Sequence, residues 1–403
     1  MVEQTEQLVK LIQGTTSGRG KSTVRKPEFS YKRTANNYDY RFRLNSVVAK
    51  AAVSKDGETI RVQLPSFRSC VGEQFLQVTL PALDAGTYDP AVGAKVISKC
   101  KLIHSDVAFE IDPELVWAIL VGQCRNANAK TKRKLMFGSA AASAGAQTIV
   151  IPLLQPWSCH FSDLMYNVHG PDGTRNRGLF PAYAIKENVV WEITFRPRSH
   201  YSDGASGATA ANGLENVTLM WEELVASAEQ LAEIKKDLPL QVCAPDFTHL
   251  ESQTNAGSET DYNITSLLSK SPTHTIWFNV LLNSQTDRDV FNKEQKVDLA
   301  ELDCDGRTLV SDRDQNVAVR DYLEMINGKP IQAAGVQPQL PCICFGNDEG
   351  YSIGKSQQQI SNTACNNVVL SLTCSAASTL TISAQHQRHY SIENGTIRSS
   401  NVY

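Results

Sequence analysis

Gly14–Ser22 holds the residue types of a phosphate-binding loop, with Gly14 followed by Gly20-Lys21-Ser22. Such a loop aims consecutive backbone N–H groups at phosphate oxygens, and it needs four residues between its first glycine and the Gly-Lys pair. Five stand there in this chain, and an amphipathic stretch rather than a strand precedes them. Nucleotide binding is therefore not expected. Asp303-Cys304-Asp305-Gly306 has the opening of a calcium loop. Its glycine comes too early and no Glu closes the loop, so an acidic turn between strands is expected instead. His386 and His389 lie three apart in a strand-turn context, and no His-Glu-x-x-His or Cys/His quartet is present. No catalytic residue, cofactor or metal is assigned. Lys130-Thr-Lys-Arg-Lys134 is a local basic patch that reads as a solvated loop or as a contact for an acidic partner.

The bulk properties narrow the class. The 403 residues carry 39 Lys and Arg against 42 Asp and Glu, a formal net charge of −3. A chain so close to neutral is not a polycation that coats nucleic acid. The length suits two domains of near-equal size. No apolar run reaches the roughly 18 residues that a membrane span requires. The start, Met1-Val2-Glu3-Gln4-Thr5-Glu6, is too polar for a secretory signal, so synthesis and retention in the cytosol are expected. The ten cysteines include no CxxC, and they are expected as free, half-buried thiols that fill a sheet.

Most of the chain reads as strand. Residues 3–13 form a short amphipathic helix, and 14–26 turn basic and glycine-rich, an arm rather than a core element. From Tyr38 the pattern is β: Tyr40, Phe42 and Leu44 alternate, as do Ile60, Val62 and Leu64. Residues 75–80, 146–154, 182–185, 189–195, 216–221 and 274–282 are further strands. The chain ends with strands over 368–373, 379–383 and 390–392. Asp112 is placed as the N-cap of a short helix with Pro113 at its first position. Helices are also expected over 222–236 and 317–326. His200–Asn216, rich in Gly, Ala, Ser and Asn, is expected as an exposed loop with nothing to bury. The change of domain is placed near Lys236–Leu240. Trp191 and Trp277 each sit in an apolar strand and are expected to fill the core between two sheets.

The order of the last strands is that of the end of a jelly roll, and the segment resembles the C-terminal part of double-jelly-roll major capsid proteins of eukaryotic DNA viruses. Other segments carry the same resemblance, in order. Pro27–Asn37 is similar to the N-terminal Tyr-x-Arg-x-Thr-Asn-Phe segment of that family. Ile151–Trp157, Leu179–Ala184 and Val189–Ile193 resemble its Pro-Phe-Trp-Phe, Ala-Leu-Pro-Leu and Val-x-Ile stretch. Val217–Trp221 with Glu222-Glu223 resembles the strand and acidic helix that close its first roll. Pro272–Phe278, Asp305-Gly306-Arg307 with Tyr322, and Tyr351–Ser356 complete the series. The likeness covers roughly residues 27–400.

This resemblance implies an all-β fold of two tandem eight-stranded antiparallel jelly rolls with a few short helices. Residues 1–29 would be an N-terminal arm, 30–236 the first roll and 237–403 the second. It implies a non-enzymatic major capsid protein, assembled inside the host cell and resident in the virion. Three copies would form a pseudo-hexagonal capsomer of an icosahedral double-stranded DNA virus. Partners would be the chain itself, as homotrimer and neighbouring capsomers, and minor or penton capsid proteins. An internal membrane or the genome would be met through the arm, whose Lys10, Arg19, Lys21, Arg25 and Lys26 would face the interior. A jelly-roll carbohydrate-binding module is the alternative, and it would need aromatic platforms and often calcium.

Overall fold

Alternation of buried and exposed side chains, the period of a strand with one face on a core, governs most of the chain. The computed structural model describes residues 41–311, apart from internal stretches that include 118–134, 159–181, 204–212, 233–239 and 287–296, together with 342–344 and 366–401. Eight strands build the first roll: β1 (Arg41–Val53), β2 (Thr59–Gln63), β3 (Val71–Leu80), β4 (Ile97–His104), β5 (Val107–Glu110), β6 (Gln147–Pro152), β7 (Val189–Phe195) and β8 (Leu214–Val225). They form two four-stranded sheets, ordered β1-β8-β3-β6 and β2-β7-β4-β5.

The second roll repeats this plan with β9 (Leu240–Ala256), β10 (Thr260–Asn263), β11 (Thr273–Leu282), β12 (Val297–Cys304), β13 (Arg307–Ser311), β14 (Cys342–Cys344), β15 (Val368–Cys374) and β16 (Ala377–Glu393). One sheet runs β10-β15-β12-β13; in the other β9 pairs with β16, which continues to β11 and β14. Counted from its own first strand, each roll therefore has the orders 1-8-3-6 and 2-7-4-5. The pairings within the sheets are antiparallel. A seventeenth strand, β17 (Thr396–Asn401), follows β16 through a hairpin. The fold is the double jelly roll that the resemblance implied. By contact, the chain divides into two compact units, one over Lys26–Ala244 with the hairpin Tyr390–Ser399, the other over Pro245–His389. Lys186 N–H donates to Gly395 O at 3.0 Å within the first of these units.

The cores follow the strand period. In the first roll Leu76, Val78 and Leu80 of β3, Ile149 and Ile151 of β6, and Trp191, Ile193 and Phe195 of β7 are buried. In the second, Ile276, Phe278, Val280 and Leu282 of β11 meet Leu370 and Leu372 of β15 and Leu380 and Ile382 of β16. Each such side chain stabilises the fold by about 1.5–3 kcal/mol relative to exposure.

Several local expectations change. Residues 222–225 continue β8 instead of starting a helix, because Glu222, Glu223 and Leu224 pair with Leu44, Arg43 and Phe42; helical backbone begins only at Ala228. Ala182–Ala184 is a single 3-10 turn rather than a strand, closed by Ile185 N–H on Ala182 O. The segment after His200 does bury side chains: Tyr201 stacks on Tyr88, ring centroids 6.4 Å apart, and Ser202 is buried. The two strands expected over 379–383 and 390–392 are one continuous β16. Trp277 is buried, but it lies on the opposite face of β11 from Ile276 and Phe278 and stands outside the second roll's apolar cluster. The helix at Asp112 is present, over Pro113–Trp117, with Val116 N–H bonded to Asp112 O. Cys70, Cys100 and Cys374 are free and buried, whereas Cys304 is disulfide-bonded. The helix expected over 317–326 lies outside the described residues.

Candidate functional site

The residues singled out for chemistry have structural employment where they are described. Cys304 and Arg307 face each other across a two-residue turn, in which Asp305 has φ 51° and Gly306 φ 78°. Positive φ at both central positions is the hairpin geometry that Asp-Gly favours. The Asp305 carboxylate accepts from Asn366 N–H at 3.0 Å and Asn367 N–H at 2.8 Å, and Asp305 N–H donates to Asn367 O at 2.9 Å. Its lone pairs thus tie a hairpin tip to the start of β15. No group of three or more His, Cys, Asp or Glu that could hold a metal ion occurs among the described residues. His386 is buried in β16, with its Nε2 2.5 Å from Thr248 Oγ1. No helix among the described residues is long and apolar enough to cross a membrane.

Lys10, Arg19, Lys21, Arg25 and Lys26 lie outside the described residues, as do Gly14–Ser22 and Lys130–Lys134. Reading for motifs also passed over Gly350-Tyr-Ser352-Ile-Gly354, which has the spelling of a nucleophile elbow. That elbow works on a strand-to-helix turn of an α/β sheet. Here the segment falls outside the described residues, and the sheets that those residues form are antiparallel.

A buried polar chain joins the two sheets of the first roll. Trp191 Nε1–H on β7 donates to Gln74 Oε1 on β3 at 2.6 Å, and Gln74 Nε2 donates to Gln155 Oε1 at 2.7 Å. Gln155 Nε2 reaches Gly72 O at 3.3 Å, and its backbone N–H donates to Ser158 Oγ at 3.1 Å. Buried polar groups left unpaired are costly, so this chain holds the Trp191 ring in one orientation. The pattern of apolar strands shows Trp191 but not its partner, since β3 holds two glutamines, Gln74 and Gln77, and neither type nor period marks Gln74 as bonded.

The surfaces differ most at the first strand of each roll. β1 stands at the end of its sheet, and no second strand of the described residues pairs with it beyond β8. It exposes Leu44 at 56%, Val47 at 36% and Val48 at 67%, three of the four large hydrophobics exposed among the described residues. β9 is polar where β1 is apolar. Asp246 accepts from Arg388 at 2.6 Å, and His249 Nδ1 lies 2.8 Å from Ser383 Oγ. Asp246 and Phe247 are buried. Burial pushes the Asp246 carboxyl above its ordinary range, and the Arg388 guanidinium opposes that shift.

No family model and no curated protein matches the chain. Solved structures do. VP54 of PBCV-1, fitted into a reconstruction of the virophage Sputnik, aligns with a TM-score of 0.64 at 11% identity, over 91% of this chain and 98% of that one. The Faustovirus major capsid protein aligns with a TM-score of 0.61 at 9% identity, over 97% of each chain. This is the double-jelly-roll capsid fold. The major capsid protein of STIV also shares it, with a TM-score of 0.51 at 10% identity over 86% of this chain and 96% of that one. Alignment over nearly the whole of both partners means that the two rolls and their succession are shared, not one roll alone.

Proposed function

We propose that this chain is the major capsid protein of an icosahedral double-stranded DNA virus, a structural rather than enzymatic component of the virion. The observation that carries this reading is the duplicated strand order, 1-8-3-6 and 2-7-4-5 in both rolls, together with full-length likeness to VP54 and the Faustovirus protein. Three copies would present six rolls, a pseudo-hexagonal tile joined by one heterologous contact repeated around a threefold axis. Each roll hides most of its strand edges between packed sheets.

The chain would divide into an arm over 1–29, a first roll over 30–236 and a second over 237–403. In the arm, Lys10, Arg19, Lys21, Arg25 and Lys26 would face the virion interior and meet minor capsid proteins, anionic lipid or the genome. Basic residues near an anionic membrane contribute about 1 kcal/mol each, an attraction that salt screens. The carbohydrate-binding alternative loses its one hint of a calcium site, because the Asp305 carboxylate is already bonded to the backbone of Asn366 and Asn367.

Light scattering on the purified chain tests the proposal. The expected mass is three times 44.3 kDa, about 133 kDa, without added metal. A monomer that associates only with calcium would sink it. Deletion of residues 1–26 is expected to leave trimers intact and make closed shells rare; loss of the trimer would move the arm into its interface.

A further inference from the structure

We propose that the open edge and apolar surface of β1 are covered by a second copy of this chain, so that Leu44, Val47 and Val48 form part of the contact between subunits. The proposal rests on the self-assembly reading above and names the surface that reading needs.

β1 is 13 residues long, about 43 Å at roughly 3.3 Å per residue. On one side it is bonded to β8; on the other no strand of the described residues pairs with it. A long edge strand with exposed aliphatic side chains is a template for strand addition and aggregation unless something covers it. Leu44 and Val48 share one face of β1, while Val47 points to the other. Between Leu44 and Val48 the strand thus exposes apolar side chains on both faces as well as an open edge. On the outer face the apolar surface continues inward, because Ser46 pairs with Met220 and Met220 with Phe75, both half-buried.

The charges around the patch identify the chemistry of the occupant. Arg43 is bonded to Glu223 at 3.0 Å, and Lys50 is ion-paired with Glu58. These two cations are neutralised within the chain, so among the described side chains of β1 no basic group stands free for a phosphate backbone or an anionic headgroup. A neutral, aliphatic strand edge complements another protein surface. In a repeated heterologous contact each copy supplies both halves of the interface, and the chain's near-neutral balance of 39 basic and 42 acidic residues allows its copies to approach without strong repulsion.

The test compares the full-length chain with the double variant Leu44→Glu/Val48→Glu. Mass is followed against concentration, and the amides of 43–52 by hydrogen exchange. Circular dichroism and thermal unfolding establish that the variant folds. The expected result is a folded variant whose association is weakened at least tenfold, with the β1 amides that face away from β8 protected in the wild-type assembly and exchanging freely in the variant. Should the double variant not fold, Val48→Thr, still β-branched but polar, is read the same way and is expected to lower association by a smaller factor. Wild-type assembly with unprotected β1 amides would overturn this surface alone. A wild-type chain that never associates would overturn the assembly reading and this surface with it. A second deletion addresses the chain's own N-terminal residues as occupant: faster exchange in β1 of a dissociated chain lacking residues 1–40 would overturn the proposal in favour of intramolecular cover.

Discussion

In the first roll the strand beside the eighth, β1, shows solvent Leu44, Val47 and Val48, and its ion pairs close within the chain. In the second roll the same position belongs to β9, which buries Asp246 and Phe247 and is laced to β16 through Arg388, His386 and Ser383. The cores diverge too. The first is crossed from sheet to sheet by the chain from Trp191 through Gln74 to Gln155, whereas in the second buried Asn255 bonds to the Leu372 carbonyl at 3.0 Å beside a cluster of aliphatic and aromatic side chains and Cys. Topology is therefore common property of the rolls, and what differs is the chemistry laid over it. Both first strands stand at the end of a sheet; one exposes aliphatic side chains, and the other is cross-linked to its neighbour by polar ones.

The largest effect is expected in the first core. Trp191→Ala should cost about 3–5 kcal/mol by cavity formation, read as a shift of the denaturant midpoint, and it should lower the yield of soluble protein. A loss under 1 kcal/mol would mean that Trp191 does not span the sheets. Trp191→Phe keeps most of the volume and removes the donor to Gln74. It should cost about 1–3 kcal/mol for the orphaned amide. In the apolar second core, Ile382→Val should cost only about 0.5–1.5 kcal/mol. Equal penalties for Trp191→Phe and Ile382→Val would erase the contrast between the cores.

Asp305→Ala should cost about 1–2 kcal/mol, since it removes acceptors for two backbone N–H groups and places Ala at positive φ. Asp305→Asn, at home in that conformation, should cost less. Addition of calcium should change neither variant; a calcium-dependent gain in wild-type stability would restore a metal role to the turn.

The smallest effect concerns pH at the β9–β16 seam. Burial, only partly offset by Arg388, raises the Asp246 carboxyl above its ordinary value of 3.8. The folded state then binds this proton more tightly than the unfolded one, so the group's cost is fully present above the folded value. Wild type should gain stability relative to Asp246→Asn as pH falls through that value towards 3.8. A difference that instead grows with rising pH would mean that the Arg388 pairing outweighs burial.

The strands with the strict period of 2 were legible from the sequence. β7 runs over Val189–Phe195 as the alternation places it, and β15 covers Val368–Cys374. Residues 222–225 misled because Glu-Glu-Leu-Val suits a helix start as well as a strand. Cross-strand partners decided the matter: Glu223 receives Arg43 and Asn45. Trp277 misled for a related reason. The period of 2 puts Ile276, Phe278, Val280 and Leu282 on one face and Trp277 with Thr275, Asn279 and Leu281 on the other, so a bulky aromatic inside an apolar run suited either face. Gln74 and the open edge of β1 were not legible at all. The first depends on a partner over a hundred residues away, the second on which strand ends a sheet.

Electron microscopy of the purified, metal-free protein tests the central claim most directly. The account predicts threefold particles of pseudo-hexagonal outline, which pack edge to edge into sheets or closed shells at higher concentration. Isolated monomers at every concentration, each with two rolls and no lateral order, would contradict it.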